Sequence, residues 1–198
     1  METFKLILKL LANMIMAGIA ISIGAYVYLN NIGIHGAIMF SVGLMAVIHY
    51  NFFLFTGKIH AVNDVYSFVI ALTILVFNLI GCYIVSLMVN DNNIIDSCQQ
   101  IVLDRSQMDI WNGILNGAGC GFIISLAVTS WKKTKLPLLI GIPAFITAGF
   151  THSVADAFYY LVAWDHVTSA ALTTYIGTVI GNLVGGLLFK TGWIGKLN

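Results

Sequence analysis

The chain has 198 residues, of which 59% are hydrophobic and only 9% charged, with a formal net charge of +1 and a mean hydropathy of +0.93. Soluble globular domains carry about 25% charged residues, so a soluble catalytic domain is excluded and an integral membrane protein with little extramembrane mass is implied. Eight of the nine basic residues are scattered over one predicted membrane side, and no phosphate loop or nucleotide fingerprint is present, so a nucleic-acid partner finds no support.

Apolar runs cover 6–29, 36–56, 66–89, 110–131, 136–164 and 167–189, each near or above the ~20 residues that cross a bilayer as helix. An all-α membrane protein of six transmembrane helices follows, as one domain over 1–198. Lys5 and Lys9 precede the first run, but it is too long for the h-region of a signal peptide, about 7 to 15 residues, and counts as helix one. Within it Ala17-Gly-Ile-Ala-Ile-Ser-Ile-Gly-Ala25 parallels Cys120-Gly-Phe-Ile-Ile-Ser-Leu-Ala-Val128 of helix four, sharing Gly18/Gly121, Ile21/Ile124 and Ser22/Ser125 at an offset of 103. Asn78-Leu-Ile-Gly81 of helix three parallels Asn182-Leu-Val-Gly185 of helix six at an offset of 104. Each half holds three spans, an odd number, so the second half enters from the opposite face. The result is a 3+3 inverted repeat, with halves of about 1–90 and 105–198, whose sites lie at the repeat interface.

Helix two is expected to break within Tyr50-Asn-Phe-Phe-Leu-Phe-Thr-Gly57, and helix five where Gly149 and His152 interrupt Phe145–Asp156. By the repeat offset Phe145 falls opposite Phe40. Broken helices in corresponding positions point to a permeation path. The stretch 90–109 reads as an acidic, amide-rich outer loop. Of the three cysteines, Cys82 and Cys120 lie in helices and Cys98 in that loop; without CxxC spacing they support neither a disulfide framework nor a metal knuckle. Lys5, Lys9, Lys58, Lys132, Lys133, Lys135, Lys190 and Lys196 all fall on one side, which places both termini in the cytoplasm and Arg105 outside. Trp111 and Trp164 mark the outer interface, Trp131 and Trp193 the inner one.

An ionisable side chain at bilayer depth is a functional candidate by default, and His152 is the sharpest one. A neutral imidazole there still donates one hydrogen bond, and on transient protonation it can hand a proton to a passing anion. Thr56, flanked by Leu54 and Phe55 at the other break, offers a hydroxyl that relays hydrogen bonds. Phe40, Leu44, Leu54 and Phe145 form apolar constrictions that gate by dewetting. Asn182 and Asn78 either serve the lumen or bond across helices. Asp156, four residues after His152 on the same helical face, either holds the imidazole or reaches for outer water. His49 shares the face of Thr56 if helix two continues that far. His49, His152 and Asp156 are too few for a metal site, so neither a metal nor another cofactor is expected.

Phe40-Ser-Val-Gly-Leu44, Leu54-Phe-Thr-Gly57, Leu126-Ala-Val128, Gly149-Phe-Thr-His-Ser-Val-Ala155 and Ile180-Gly-Asn-Leu-Val-Gly-Gly186 together resemble the formate/nitrite transporter family, aquaporin-like pentameric channels for small anions of weak acids. The resemblance implies that His152 is the central pore histidine, Thr56 its partner and Asn182 a lumen amide. Phe40, Leu44, Leu54 and Phe145 would line two slits, with Arg105 near the outer mouth. The chain departs from the family pattern at Thr151, where glutamate is usual, at Asp156 for asparagine, and at Gly121 for asparagine; the amphipathic segment that often precedes helix one is expected to be missing. The function expected is a cell-membrane channel for formate, nitrite, hydrosulfide or a similar anion, with protons as the second partner, in a homo-oligomer. The alternative is an ammonium or neutral-solute channel of the same architecture.

Overall fold

The structure, a computed structural model, describes residues 2–194 and is all-helical over them. Lys196 and the side chain of Trp193 lie outside the described residues. Four helices are long and apolar enough to cross a membrane: α1 (Glu2–Leu29), α4 (Val65–Ser86), α6 (Ile110–Ser130) and α9 (Ser169–Ile194). Their outward faces carry large apolar side chains such as Ile7, Phe68, Val76, Leu115 and Ile176, all exposed, which suits lipid rather than water. Their inward faces are small. A Cβ on Gly18 would run into the backbone carbonyl of Asn78, and one on Gly121 into that of Asn182, so α1 meets α4 and α6 meets α9 at backbone distance.

The two remaining apolar stretches are each interrupted. α2 (Ile34–His49) stops, and after a short loop α3 (Phe55–Lys58) resumes and runs into a 3-10 turn at Ile59–Ala61. In the same way α7 (Leu136–Thr147) stops before α8 (Ser153–Val162), which leads into a 3-10 turn at Trp164–His166. The loop after α3 is fastened to α9 by Lys190, whose ammonium donates to the carbonyl of Val62 at 2.7 Å and to the amide oxygen of Asn63.

One expected loop is a helix. α5 (Asn92–Ser106) begins where the Asp91 carboxylate accepts the Asn93 N–H at 2.9 Å, an N-cap that satisfies an otherwise orphaned donor. Its buried residues are Ile94, Cys98 and Val102, one apolar stripe at a spacing of four that packs on α8 and α9. Cys98 is therefore buried on a helix rather than in a loop. Burial pushes its thiol up to about 12, which leaves no reactive thiolate at neutral pH.

Candidate functional site

Both breaks are built by the same backbone device. At the end of α2 the N–H of Phe52 donates to the carbonyl of Val47 at 2.9 Å and that of Asn51 to Ile48 at 3.3 Å. After α7 the N–H of Phe150 donates to Phe145 at 3.0 Å and that of Gly149 to Ile146 at 3.0 Å. This paired pattern closes a helix when one residue adopts a left-handed conformation. Here those residues are Asn51, at φ 55°, and Gly149, at φ 74°. Glycine takes that region without strain, and asparagine is among the few other residues that tolerate it.

A buried amide then holds each loop. Asn78 on α4 donates through Nδ2 to the carbonyls of Met14 (2.8 Å) and Phe53 (2.9 Å), and its Oδ1 accepts the Phe55 N–H at 2.9 Å. Asn182 on α9 donates to Gly117 (2.9 Å) and Thr151 (3.0 Å) and accepts from the Ser153 N–H at 2.9 Å. Each amide satisfies backbone groups exposed where a helix stops, groups that would otherwise lie unpaired away from water. Asn182 was a candidate lumen amide on sequence; in the fold both its N–H donors and its carbonyl are engaged by backbone. Phe55, also expected in the lining, is fully buried at the hinge and lines neither of the cavities described below.

The loops meet side by side. His152 caps α8, its Nδ1 accepting the Ala155 N–H at 3.0 Å, while its Nε2 lies 3.0 Å from Thr56 Oγ1. A backbone N–H can only donate, so Nδ1 is the acceptor nitrogen and the neutral ring carries its hydrogen on Nε2. That hydrogen points at Thr56 Oγ1 and leaves the threonine's own O–H free to turn elsewhere. His152 is 2% exposed and Thr56 0%, so the pair is closed off from bulk water.

A cavity opens on each side of this pair. The first, of about 190 Å³, is lined by His152, Phe40, Phe145, Tyr28, Arg105 and Asp156 together with neighbouring residues of α5, α7 and α8. The Phe40 and Phe145 rings face one another edge-on at 6.1 Å, and Phe145 stacks toward His152 at 6.3 Å. The second, of about 120 Å³, includes Leu54, Val47, Asn51, Lys58, Val128 and Lys132 in its wall. Leu44, 1% exposed, belongs to the buried core between them. The largest pocket instead lies on the apolar outer face between α4, α8 and α9, far from any polar group.

Three expectations need correction. Asp156 does not hold the imidazole: its Oδ2 accepts from Arg105 Nε at 3.1 Å, because α5 brings a guanidinium over the cavity, and the ring is oriented by Ala155 and Thr56 instead. His49 does not join Thr56, since α2 ends at His49; its ring lies exposed against Tyr50 at 4.9 Å. Phe145 corresponds to Val47 rather than Phe40, because α7 has 12 residues where α2 has 16, which shifts the register of the breaks. Tyr28 and Tyr159, both in the first cavity wall, were not singled out. Tyr159 follows Asp156 by three residues on the same helical face, a spacing that signals it.

Comparison with known proteins agrees with this geometry. Among solved structures the fold is similar to a pentameric formate channel with formate bound (TM-score 0.84, 18% identity, covering 98% of each chain) and to an FNT family ion channel (TM-score 0.75, 20% identity, covering 96% of this chain and 90% of the other). At such identities the likeness is one of fold. No curated protein matches the sequence. Residues 2–194, nearly the whole chain, match the profile of a family described as formate/nitrite transporter. The chain is a member of the formate/nitrite transporter family.

Proposed function

We propose that the chain is a channel for small monovalent anions of weak acids, such as formate, nitrite or hydrosulfide, with His152 and Thr56 at its narrowest point. The observation that carries this reading is the 3.0 Å contact of His152 Nε2 with Thr56 Oγ1, buried where two broken helices meet between two opposed cavities. Phe40 and Phe145 form the slit on one side, Leu44 and Leu54 that on the other. Asn182 keeps its part by fixing the loop that carries His152.

The architecture that goes with it is six spans in a 3+3 inverted repeat, with the second and fifth broken. The matched hydrogen bonds of Asn78 and Asn182 support it, as do the paired helix ends at Asn51 and Gly149. Six crossings put both termini in the cytoplasm, the Lys58 cavity inside and the Arg105 cavity outside, in the cell membrane. The solved relative described as pentameric supports a pentamer with one pore in each protomer.

An anion entering the slits loses water, at an idealised cost of tens of kcal/mol for a full charge in a low-dielectric medium, whereas one hydrogen bond returns about 1 kcal/mol. Neutralisation therefore dominates over any single contact. The Thr56 O–H, backed by the His152 Nε2–H, offers the anion a donor whose proton it shares. Complete transfer calls for an imidazolium, and Nδ1 must first release the Ala155 N–H to accept the extra proton.

The test is flux into liposomes containing the full chain, in formate and in ammonium salts at two pH values. Formate influx is expected to exceed ammonium and to fall about tenfold to a hundredfold in His152→Phe, the loss of one charge-assisted hydrogen bond. Unchanged formate flux and pH dependence in that variant would refute the role of His152; uptake of ammonium alone would refute the anion.

A further inference from the structure

The first cavity holds a charge pair outside the histidine–threonine contact. Arg105 descends from α5 and Asp156 rises one turn beyond His152 on α8, with Nε and Oδ2 3.1 Å apart and side-chain exposures of only 14% and 3%. The fixed charges of the cavity cancel. The other titratable groups near Asp156 are Tyr28 on α1, Cys120 on α6, Tyr159 and Tyr160 on α8, and Tyr175 on α9, all uncharged at neutral pH. α2 and α7 present only Phe40, Phe145, Ile146, Gly149 and the neighbouring Phe150. An anion drawn to the guanidinium therefore arrives beside a carboxylate that already occupies its Nε edge.

Building on the channel reading above, we propose that Asp156 is the specificity-determining residue of this mouth, admitting anions that can take up a proton and turning away those that cannot. A proton from bulk water binds an Asp156 oxygen, and the incoming anion takes its place on Arg105. The Asp156 O–H bond then breaks as the bond from hydrogen to the anion's oxygen or sulfur forms. The electron pair of the broken bond stays on Asp156, which re-forms its bond to Arg105, and the neutral acid moves on to His152. The conjugate base of a strong acid, such as nitrate, is too weak a base to accept that proton and remains outside.

The experiment compares formate and nitrate entry into liposomes holding the wild-type chain or Asp156→Asn, recording internal pH and current together. The wild type is expected to take in formate with a proton and to pass no nitrate current. In Asp156→Asn the formate-to-nitrate ratio should fall about tenfold or more, and formate entry should become a current, because an unopposed guanidinium now binds the bare anion. An unchanged ratio in Asp156→Asn overturns the proposal, and so does a wild type that passes nitrate as readily as formate, which needs no variant. If Asp156→Asn does not fold, Arg105→Gln keeps the acid and removes the cation: formate entry at neutral pH should drop with nitrate still excluded, and nitrate entry there would overturn the proposal. A wild type that passes no formate defeats the weak-acid channel itself, a different result from a wild type that passes formate with no change in the variant.

Discussion

The two helix breaks share one backbone and carry different side chains. Residues 98 apart superimpose in role: Asn51 with Gly149 at the left-handed turn, Phe52 with Phe150 closing it, Phe53 with Thr151 and Phe55 with Ser153 on the amide clamps. Even the cavity walls correspond, Val47, Ile48, Leu54, Gly57 and Lys58 facing one side where Phe145, Ile146, His152, Ala155 and Asp156 face the other. Yet Leu54 stands where His152 stands, Thr56 where Val154 does, and Lys58 where Asp156 does. Hydrogen bonds to buried backbone leave little room for substitution, because each orphaned group is costly. Side chains that face a cavity are under no such constraint, and there the halves have diverged into one ring, one hydroxyl and opposite charges.

Removing a clamp tests the shared part and gives the largest expected effect. Asn78→Ala and Asn182→Ala each strip partners from three buried backbone groups, at roughly 1–3 kcal/mol per group. Thermal unfolding in detergent should show similar losses of about 3 kcal/mol or more for both. A loss confined to one of them would break the equivalence. Next is His152→Leu, which gives the second break the residue of the first. Formate flux in liposomes should fall about tenfold to a hundredfold, while stability drops by only about 1 kcal/mol from the lost cap at Ala155. A loss of folding comparable to that of the clamp variants would mean that His152 is part of the scaffold.

At the left-handed positions the halves differ in tolerance. Gly149→Ala should cost about 1 kcal/mol in the same unfolding assay, whereas Asn51→Gly, at φ 55°, should be nearly neutral. Equal costs would show that asparagine is held there by more than its backbone. The smallest effect concerns the helices that follow. α4 is capped by the Asp64 carboxylate, which accepts the Ser67 N–H at 2.8 Å, and α9 by the Thr168 hydroxyl, which accepts from Ala171 at 3.1 Å. Hydrogen bonds from the Ser67 side chain and backbone hold the Asp64 carboxyl below its ordinary 3.8. Its contribution is thus complete above the unfolded value and is lost as the pH falls through the lower folded one. Hydrogen exchange at the start of α4 should quicken on acidification over that window while the start of α9 does not change.

Much of this was legible before any coordinates. The apolar runs mark α1, α4, α6 and α9, and Gly149 beside His152 marks one break, because a flexible residue and an ionisable one rarely interrupt a membrane helix without cause. Asn51 hides the matching break, since asparagine announces a left-handed turn far less loudly than glycine. α5 escapes because its stripe of Ile94, Cys98 and Val102 is narrow and its other faces are acids and amides. The work of Asn182 could not be read at all from its own neighbourhood: an amide in an apolar helix looks the same whether it faces a lumen or a backbone, and its partners Ser153, Thr151 and Gly117 lie 29, 31 and 65 residues away. The recurrence of Asn78 and Asn182 was the one available hint. Arg105 reaches Asp156 only because α5 folds over the cavity, a contact across 51 residues that no local pattern encodes.

The engagement of both His152 nitrogens bears on how well the membrane stays insulated. A chain of water and imidazole conducts protons only if one ring nitrogen can receive while the other releases, and the lone pair of Nδ1 is already taken by the Ala155 N–H. At rest the ring is a poor link in such a wire. A cell could then keep this pore in its membrane without short-circuiting the proton gradient that drives the rest of its metabolism.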